Sequence, residues 1–155
     1  MSSSPKDESL DSISATLAQV MRLSGSRSMF ARQAEAAGVG LTQPSYLLLR
    51  VLIDEGPRAM GTLARTAHMD VGMATRQVSA LVEAGLATRE PDPADARVIL
   101  IAVTPAGRRV AGSLQDIRRI HLQRALSRWT RAELDEFDRL LSRFLQDTVA
   151  TPFED

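Results

Sequence analysis

The sequence predicts a mainly α-helical fold that carries one small β-hairpin. Apolar residues recur at spacings of three and four over most of the 155 residues, which is the period of a helix. Only two short runs, residues 87–90 and 98–103, have strand character, and a segment rich in proline and aspartate separates them. The hydrophobic content of 44% is enough to bury a core without disulfides or metals.

The N-terminal region is predicted to hold a tail and one long helix. Residues 1–9 are polar and rich in serine, so we expect them to form a disordered tail. Residues 10–40 are predicted to be a helical segment, which ends near Ala37 because Gly38 and Gly40 follow. Its apolar stripe consists of Leu10, Ile13, Leu17, Val20 and Met21.

Three further helices are predicted before the hairpin. The first of them begins after Thr42 and ends at Gly56, because threonine is a good N-cap and glycine followed by proline stops a helix. A short helix fits residues 61–67, and a longer one fits residues 71–84. The turn between these two helices is only a few residues long, as in a helix-turn-helix.

The residues that flank the helix over 71–84 specify its ends. Asp70 is placed to cap its N-terminus. Gly85 can take the left-handed conformation after the last turn, while Leu86 folds back on Leu81. The two strands then follow, with residues 91–96 as a turn between them.

Two helices complete the chain. Thr104 and Pro105 provide an N-cap and a first-turn proline for a long helix that reaches about Ser127. Thr130 and Glu133 form a capping box ahead of the last helix. The apolar stripe of this last helix consists of Leu134, Phe137, Leu140, Leu141, Phe144 and Leu145.

This order of elements predicts a winged helix-turn-helix flanked by helices that pair two copies of the chain. Residues 41–104 are expected to form the winged helix-turn-helix lobe, with the hairpin as its wing. Residues 10–40 supply an N-terminal dimerisation helix and residues 105–155 the C-terminal dimerisation helices, because their apolar stripes have no other partner in the sequence. We therefore expect an obligate homodimer.

The helix over 71–84 is predicted to read double-stranded DNA, because the second helix of such a motif fits the major groove. Its apolar stripe turns inward and leaves a polar face outward. Arg76 would grip a guanine edge or a phosphate, and Thr75 would reach a phosphate or a base. The outward residues are Gly72, Met73, Thr75, Arg76 and Ser79.

The hairpin tip is the second predicted DNA contact. An arginine that projects from such a tip can enter a narrow, electronegative minor groove, and Arg97 is placed to do so. Asp95 would hold Arg97 in position through a charge-assisted ion pair. The alternative for these residues is an exposed turn whose ion pair contributes little, since surface pairs give about 0 to 1 kcal/mol.

Other functions find less support in the sequence. The formal net charge is zero, so it does not support DNA binding, which depends on positive charge for contacts to phosphates. The main alternative is a winged-helix module that contacts another protein. His68 and His121 stand in no catalytic or metal-binding pattern, so we expect neither an enzyme nor a metal site, and no cofactor. The chain has no cysteine, which excludes a thiol-based redox switch.

Several segments of the lobe resemble the MarR family of winged helix-turn-helix transcriptional regulators. The resemblance covers nearly the whole chain, since that family also has flanking dimerisation helices. It is carried by Leu63-Ala64, Thr75-Arg76-Gln77-Val78, Leu81-Val82-Glu83-Ala84-Gly85-Leu86, Asp92-Pro93-Ala94-Asp95-Ala96-Arg97, Leu100 and Val103-Thr104-Pro105-Ala106-Gly107.

The resemblance implies a repressor that binds a pseudo-palindromic operator as a homodimer and is released by a small aromatic or phenolic ligand. It implies that Arg97 is the minor-groove arginine of the wing and that the ligand crevice lies near Tyr46. Tyr46 is expected to be either a core aromatic with a satisfied hydroxyl or a residue that contacts the ligand. No apolar stretch has the roughly 20 residues of a membrane-crossing helix, and residues 1–9 do not resemble a secretory signal. A cytoplasmic location is therefore expected.

Overall fold

The computed structural model describes residues 4–152, which form seven helices and three short strands. The chain divides into two compact units, one that ends at Arg118 and one that begins at Arg119. The predicted fold class is confirmed. In chain order the elements are α1 (Pro5–Ser24), α2 (Arg27–Ala36), α3 (Gln43–Glu55), β1 (Arg58–Ala59), α4 (Met60–Thr66), α5 (Val71–Glu83), β2 (Ala87–Pro91), β3 (Ile99–Val103), α6 (Pro105–Ala125) and α7 (Arg131–Ala150).

The disordered tail predicted over 1–9 is wrong for residues 4–9. Helix α1 begins at Pro5, because Ser4 caps it and the Asp7 carboxylate accepts a hydrogen bond from the backbone N–H of Ser4 at 3.2 Å. Residues 1–3 and 153–155, which also belong to the predicted terminal segments, lie outside the described residues. A local capping box therefore outweighs the serine-rich composition.

The single helix predicted over 10–40 is instead two helices. Helix α1 ends at Ser24, and Gly25 is its C-cap, with an N–H that still donates to the Met21 carbonyl at 2.8 Å. Helix α2 begins anew after Ser26, whose hydroxyl accepts a hydrogen bond from the Met29 N–H at 3.3 Å. The break follows from two adjacent small residues, of which the serine can start a helix that the glycine has ended.

The helix ends of the lobe agree with the sequence analysis. The Thr42 hydroxyl caps α3, and the Asp70 carboxylate accepts from the Met73 N–H at 2.8 Å to cap α5. At the end of α5, Gly85 has a φ of 71°, and the Leu86 N–H donates to the Leu81 carbonyl at 2.8 Å. These caps fix where α5 begins and ends relative to its neighbours.

The sheet has one strand more than the predicted hairpin. β2 and β3 pair antiparallel, with Ala87 opposite Val103, and β1 pairs with the other edge of β3, with Arg58 opposite Ile101. The strand order is β1-β3-β2. β1 has only two residues, too few to produce an alternating pattern that could be recognised in the sequence.

Two buried clusters support the first unit. The larger one joins α3, α4, α5 and the sheet, and its fully buried members include Leu48, Leu52, Leu63, Val78, Leu81 and Ile101. The smaller one consists of Phe30, Ala34, Tyr46, Ala111 and Leu114. Burial of this apolar area anchors α5 by its inner side and leaves the opposite side in solvent.

The second unit contains α7, a strongly amphipathic helix. The Thr130 and Glu133 side chains form the predicted capping box, and the Thr130 N–H bonds the Glu133 carboxylate at 2.7 Å. Trp129 and Phe137 pack edge to face with ring centroids 5.4 Å apart. The apolar side of α7 is exposed within the chain at Phe137, Leu140, Leu141, Phe144, Leu145 and Val149.

Across residues 4–152, no helix is both long enough and apolar enough to cross a membrane.

Candidate nucleic-acid interface

Helix α5 presents most of its predicted face to solvent. Ala74, Val78 and Leu81 are buried, as the helical period requires. Gly72, Thr75, Arg76 and Ser79 are exposed on the other side, whereas Met73 is only half-buried and lines a cavity. The outward orientation predicted for Met73 is therefore wrong in part, because its helical position lies at the flank of the exposed face.

The exposed side chains of α5 differ in what they contact. The Thr75 hydroxyl donates to the Val71 carbonyl at 2.7 Å, one turn earlier in its own helix, so its oxygen is still available as an acceptor. The Arg76 guanidinium lies back over the first turn, where a Cβ on Gly72 would be 3.8 Å from its Nη1. Asp70 stands at the same turn, because its carboxylate is the N-cap.

The wing tip holds Arg97 in a bidentate ion pair. Its Nε donates to Asp95 Oδ1 at 3.0 Å and its Nη2 donates to Asp95 Oδ2 at 3.1 Å. The ion pair is as predicted, and the side chain of Arg97 is 90% exposed. A guanidinium held in this way loses less rotational freedom when it enters a groove than a free one would.

Electrostatics at the tip follow from the same contacts. The side-chain hydrogen bonds from Arg97, and then its backbone N–H, lower the pKa of the Asp95 carboxyl from its ordinary value. The pair in turn raises the pKa of Arg97. Asp92 closes the turn by accepting a hydrogen bond from the Ala94 N–H at 2.7 Å. The Asp92 carboxylate therefore accepts from one backbone N–H, whereas the Asp95 carboxylate accepts from both the backbone N–H and the guanidinium of Arg97.

One side chain that the sequence analysis missed connects the wing to α5. Arg89 on β2 donates from its Nη2 to the Ser79 hydroxyl at 3.0 Å. The contact brings a second exposed arginine of the wing beside the face that carries Thr75 and Arg76. Nothing local in the sequence marks Arg89, because the contact depends on how the hairpin packs against the helix.

A cavity of about 530 Å³ lies beside the N-terminal half of α5. Its apolar wall includes Phe30, Leu41, Leu47 and Met73, and its polar wall includes Arg27, Thr42 and Gln77. Such a volume falls in the range of small-molecule sites. The cavity thus shares Met73 and Gln77 with the helix that is predicted to read DNA.

Tyr46 does not line this cavity. It is 3% exposed, and its ring lies 5.8 Å from the Phe30 ring and 4.6 Å from the Arg118 guanidinium. Leu47, one position along α3, lines the cavity in its place. Of the two roles expected for Tyr46, its burial fits the core aromatic, and Phe30 is the ring that lines the cavity.

Comparison with known proteins gives one family. The model of the MarR family matches residues 41–99. The uncharacterized HTH-type transcriptional regulator YxaD of Bacillus subtilis is 33% identical over 117 residues, which span 76% of this chain and 82% of that protein. The HTH-type transcriptional repressor IacR of Pseudomonas putida is 25% identical over 103 residues, or 66% of this chain and 62% of that protein. The crystal structure of RV1404 from Mycobacterium tuberculosis superposes with a TM-score of 0.75 and 28% identity, covering 95% of this chain and 98% of that one.

Proposed function

Because the chain belongs to the MarR family of transcriptional regulators, we propose that it is a repressor that binds a pseudo-palindromic operator as a homodimer. In this proposal α5 enters the major groove with Gly72, Thr75, Arg76 and Ser79, while Met73 packs at its edge. The wing places Arg97 in the adjacent minor groove, with Asp95 as its support. The repressor role is consistent with the name of the relative IacR.

The observation that carries the proposal is the bond between the wing and α5. The Arg89–Ser79 hydrogen bond joins the two elements that are proposed to touch DNA, so they act as one surface. On that surface Arg76 is exposed, and Arg97 is held at its tip by Asp95. Exposed arginines with fixed guanidinium planes suit bidentate contacts to phosphates and guanine edges.

The homodimer is supported by apolar faces that each unit leaves uncovered. Helix α1 exposes Leu10, Ile13 and Val20, and α7 exposes a longer row that includes Leu141. A contiguous apolar face of this kind is typical of a protein–protein interface. A twofold symmetric dimer covers identical faces with each other and presents two copies of α5 to the two halves of an operator.

The effector proposed for the cavity is a small aromatic acid. Among the residues that line the cavity, all of them in the described part of the chain, only Arg27 carries a charge, and it is positive. The N-terminus of α3, capped by Thr42, opens onto the same space and favours an anion. The Phe30 ring and Leu47 offer an apolar surface for a ring.

A binding assay across a salt series tests the proposal. DNA from upstream of the protein's own gene is expected to bind with an affinity that falls about 100-fold between about 50 and 200 mM salt, the slope for roughly four neutralised phosphates. Fluorescence anisotropy of labelled DNA measures it. A winged helix that serves only protein contacts gives no salt-dependent DNA affinity, and that result would contradict the proposal.

Removal of either arginine is expected to weaken operator binding. Arg97→Ala and Arg76→Ala should each cost about 1 to 3 kcal/mol, because each removes a groove or phosphate contact. The matched control is Arg131→Ala, which deletes an arginine on α7 that is 94% exposed. The same anisotropy assay applies, and wild-type affinity in both Arg97→Ala and Arg76→Ala is incompatible with the proposed contacts.

A further inference from the structure

Two hydroxyl groups lie one helical turn apart on the exposed side of α5, and their hydrogen bonds run in opposite directions. The Thr75 hydroxyl donates to the Val71 carbonyl at 2.7 Å, and a carbonyl oxygen can only accept. The Ser79 hydroxyl accepts from Nη2 of Arg89 at 3.0 Å, and a guanidinium can only donate. For a further partner, Thr75 therefore keeps only lone pairs, whereas Ser79 keeps its proton and one lone pair.

The alternation of side chains along β2 brings Arg89 to α5. Ala87 is buried in the larger cluster, and Arg89, two residues later, lies on the same face of the strand. That face packs toward α5, where the guanidinium reaches Ser79. The backbone of Arg89 is held by the sheet, because Arg89 pairs with Ile101 of the central strand β3.

Thr75 is suited to accept a hydrogen bond from a base. If it donated to a base, it would give up the bond to Val71, and one hydrogen bond would replace another with little net gain. If it accepts, the bond to Val71 stays and a new bond is added. The base donors in the major groove are the N6 amino group of adenine and the N4 amino group of cytosine.

Ser79 is suited to donate a hydrogen bond to a base. Arg89 occupies one lone pair of its oxygen, and within residues 4–152 the hydroxyl proton has no acceptor. The positive charge of the guanidinium polarises the O–H toward donation and repels the partial positive charge of a base amino group. The major-groove acceptors for such a donor are N7 of either purine, O6 of guanine and O4 of thymine.

We propose that Thr75 accepts a hydrogen bond from an adenine or cytosine amino group and that Ser79, positioned by Arg89, donates one to a base acceptor. This inference rests on the proposed function, and it specifies which base-edge groups α5 reads. Arg89 is a positioning residue, because it acts on the bases through Ser79. Four residues of helix span about 6 Å. In a helix that follows the groove, the two groups therefore belong to base pairs about two steps apart, at about 3.4 Å a step.

Base analogues in the operator test the direction of each contact. The DNA is the region upstream of the protein's own gene, with its half-sites located by footprinting, and one half-site carries a single analogue at each position in turn. 2-Aminopurine in place of adenine and N4-methylcytosine in place of cytosine remove or block a major-groove donor. The 7-deazapurines, 4-thiothymine and 6-thioguanine remove or weaken an acceptor. For each protein, fluorescence anisotropy gives the ratio of its affinities for the unmodified and the modified DNA.

The wild type is expected to lose about three- to tenfold in affinity on one donor analogue and on one acceptor analogue, the equivalent of one hydrogen bond each. Thr75→Val keeps the branched shape without the hydroxyl, and it should abolish the loss on the donor analogue alone. Ser79→Ala should abolish the loss on the acceptor analogue alone. Arg89→Met should reduce the loss on the acceptor analogue and leave the loss on the donor analogue unchanged.

The matched control is Arg131→Met, which removes the same charge from α7 and should keep both ratios. Because each ratio is measured within one protein, a partly unfolded variant does not change it. The proposal is overturned if Thr75→Val or Ser79→Ala changes neither ratio, or if either variant abolishes the loss on the opposite kind of analogue.

The positioning role of Arg89 has its own contradicting result. If Arg89 only contacted a phosphate or only packed the wing against α5, Arg89→Met would lower the affinity for every DNA by the same factor and keep both ratios. A wild type that binds the unmodified DNA without salt dependence contradicts the proposed function itself, and the analogue ratios are then not the cause of the failure.

Discussion

Leu141→Glu is expected to convert the protein to a monomer and to lower its operator affinity by at least about 100-fold, the loss of about 3 kcal/mol of binding free energy. Leu141 lies at the middle of the exposed apolar face of α7. In a twofold dimer the substitution places two carboxylates in an apolar interface, and an uncompensated buried charge costs about 3 to 5 kcal/mol. A monomer retains only the contacts of one half-site, so the operator affinity falls with the dimer.

Light scattering after size exclusion gives the mass of the variant, and fluorescence anisotropy gives its operator affinity. The matched control is Gln146→Glu, which adds the same charge to the same helix on the side opposite Leu141. This control is expected to stay dimeric and to bind the operator normally. If the Leu141→Glu variant keeps the mass of the dimer, the dimer interface does not include the apolar face of α7.

The ends of helices were predictable where one residue type decides them. Thr42, Asp70 and Thr130 cap their helices as predicted, because an N-cap depends on a side chain and a backbone N–H three residues away. Gly85 adopts a positive φ for an equally local reason. Ser4 was missed because its partner in the capping box is Asp7, where the usual sequence pattern has glutamate or glutamine.

The sequence predicted only those features of the candidate site that follow from the helical period of α5. That period places Thr75, Arg76 and Ser79 outward, and all three are exposed. It gives no information on the contact of Ser79 with Arg89 or of Gln77 with Ser45, since each joins residues from different elements. Long-range polar contacts have no sequence period, so sequence alone could not identify these two contacts or the cavity beside α5.

Gly107→Ala is expected to destabilise the fold by about 3 kcal/mol, at the upper end of overpacking costs. A Cβ at this position would overlap the carbonyl oxygen of Leu86 and approach Val103 Cγ2 to 2.9 Å. The Leu86 carbonyl cannot easily move away, because it accepts the Thr104 N–H at 3.1 Å. The added methyl group therefore separates the start of α6 from the wing, and the melting temperature should fall by about 10 °C.

The same helix provides a matched control. A Cβ at Gly112 would meet no atom within 4 Å, so Gly112→Ala adds only helix propensity and should stabilise the fold by up to about 1 kcal/mol. Urea unfolding of both variants, followed by circular dichroism, measures the two effects with opposite expected signs. Equal stability of Gly107→Ala and the wild type would mean that α6 can shift away from Leu86 at no cost. The wing would then be free to move relative to α6, and the contact between Leu86 and α6 would not fix the position of Arg97.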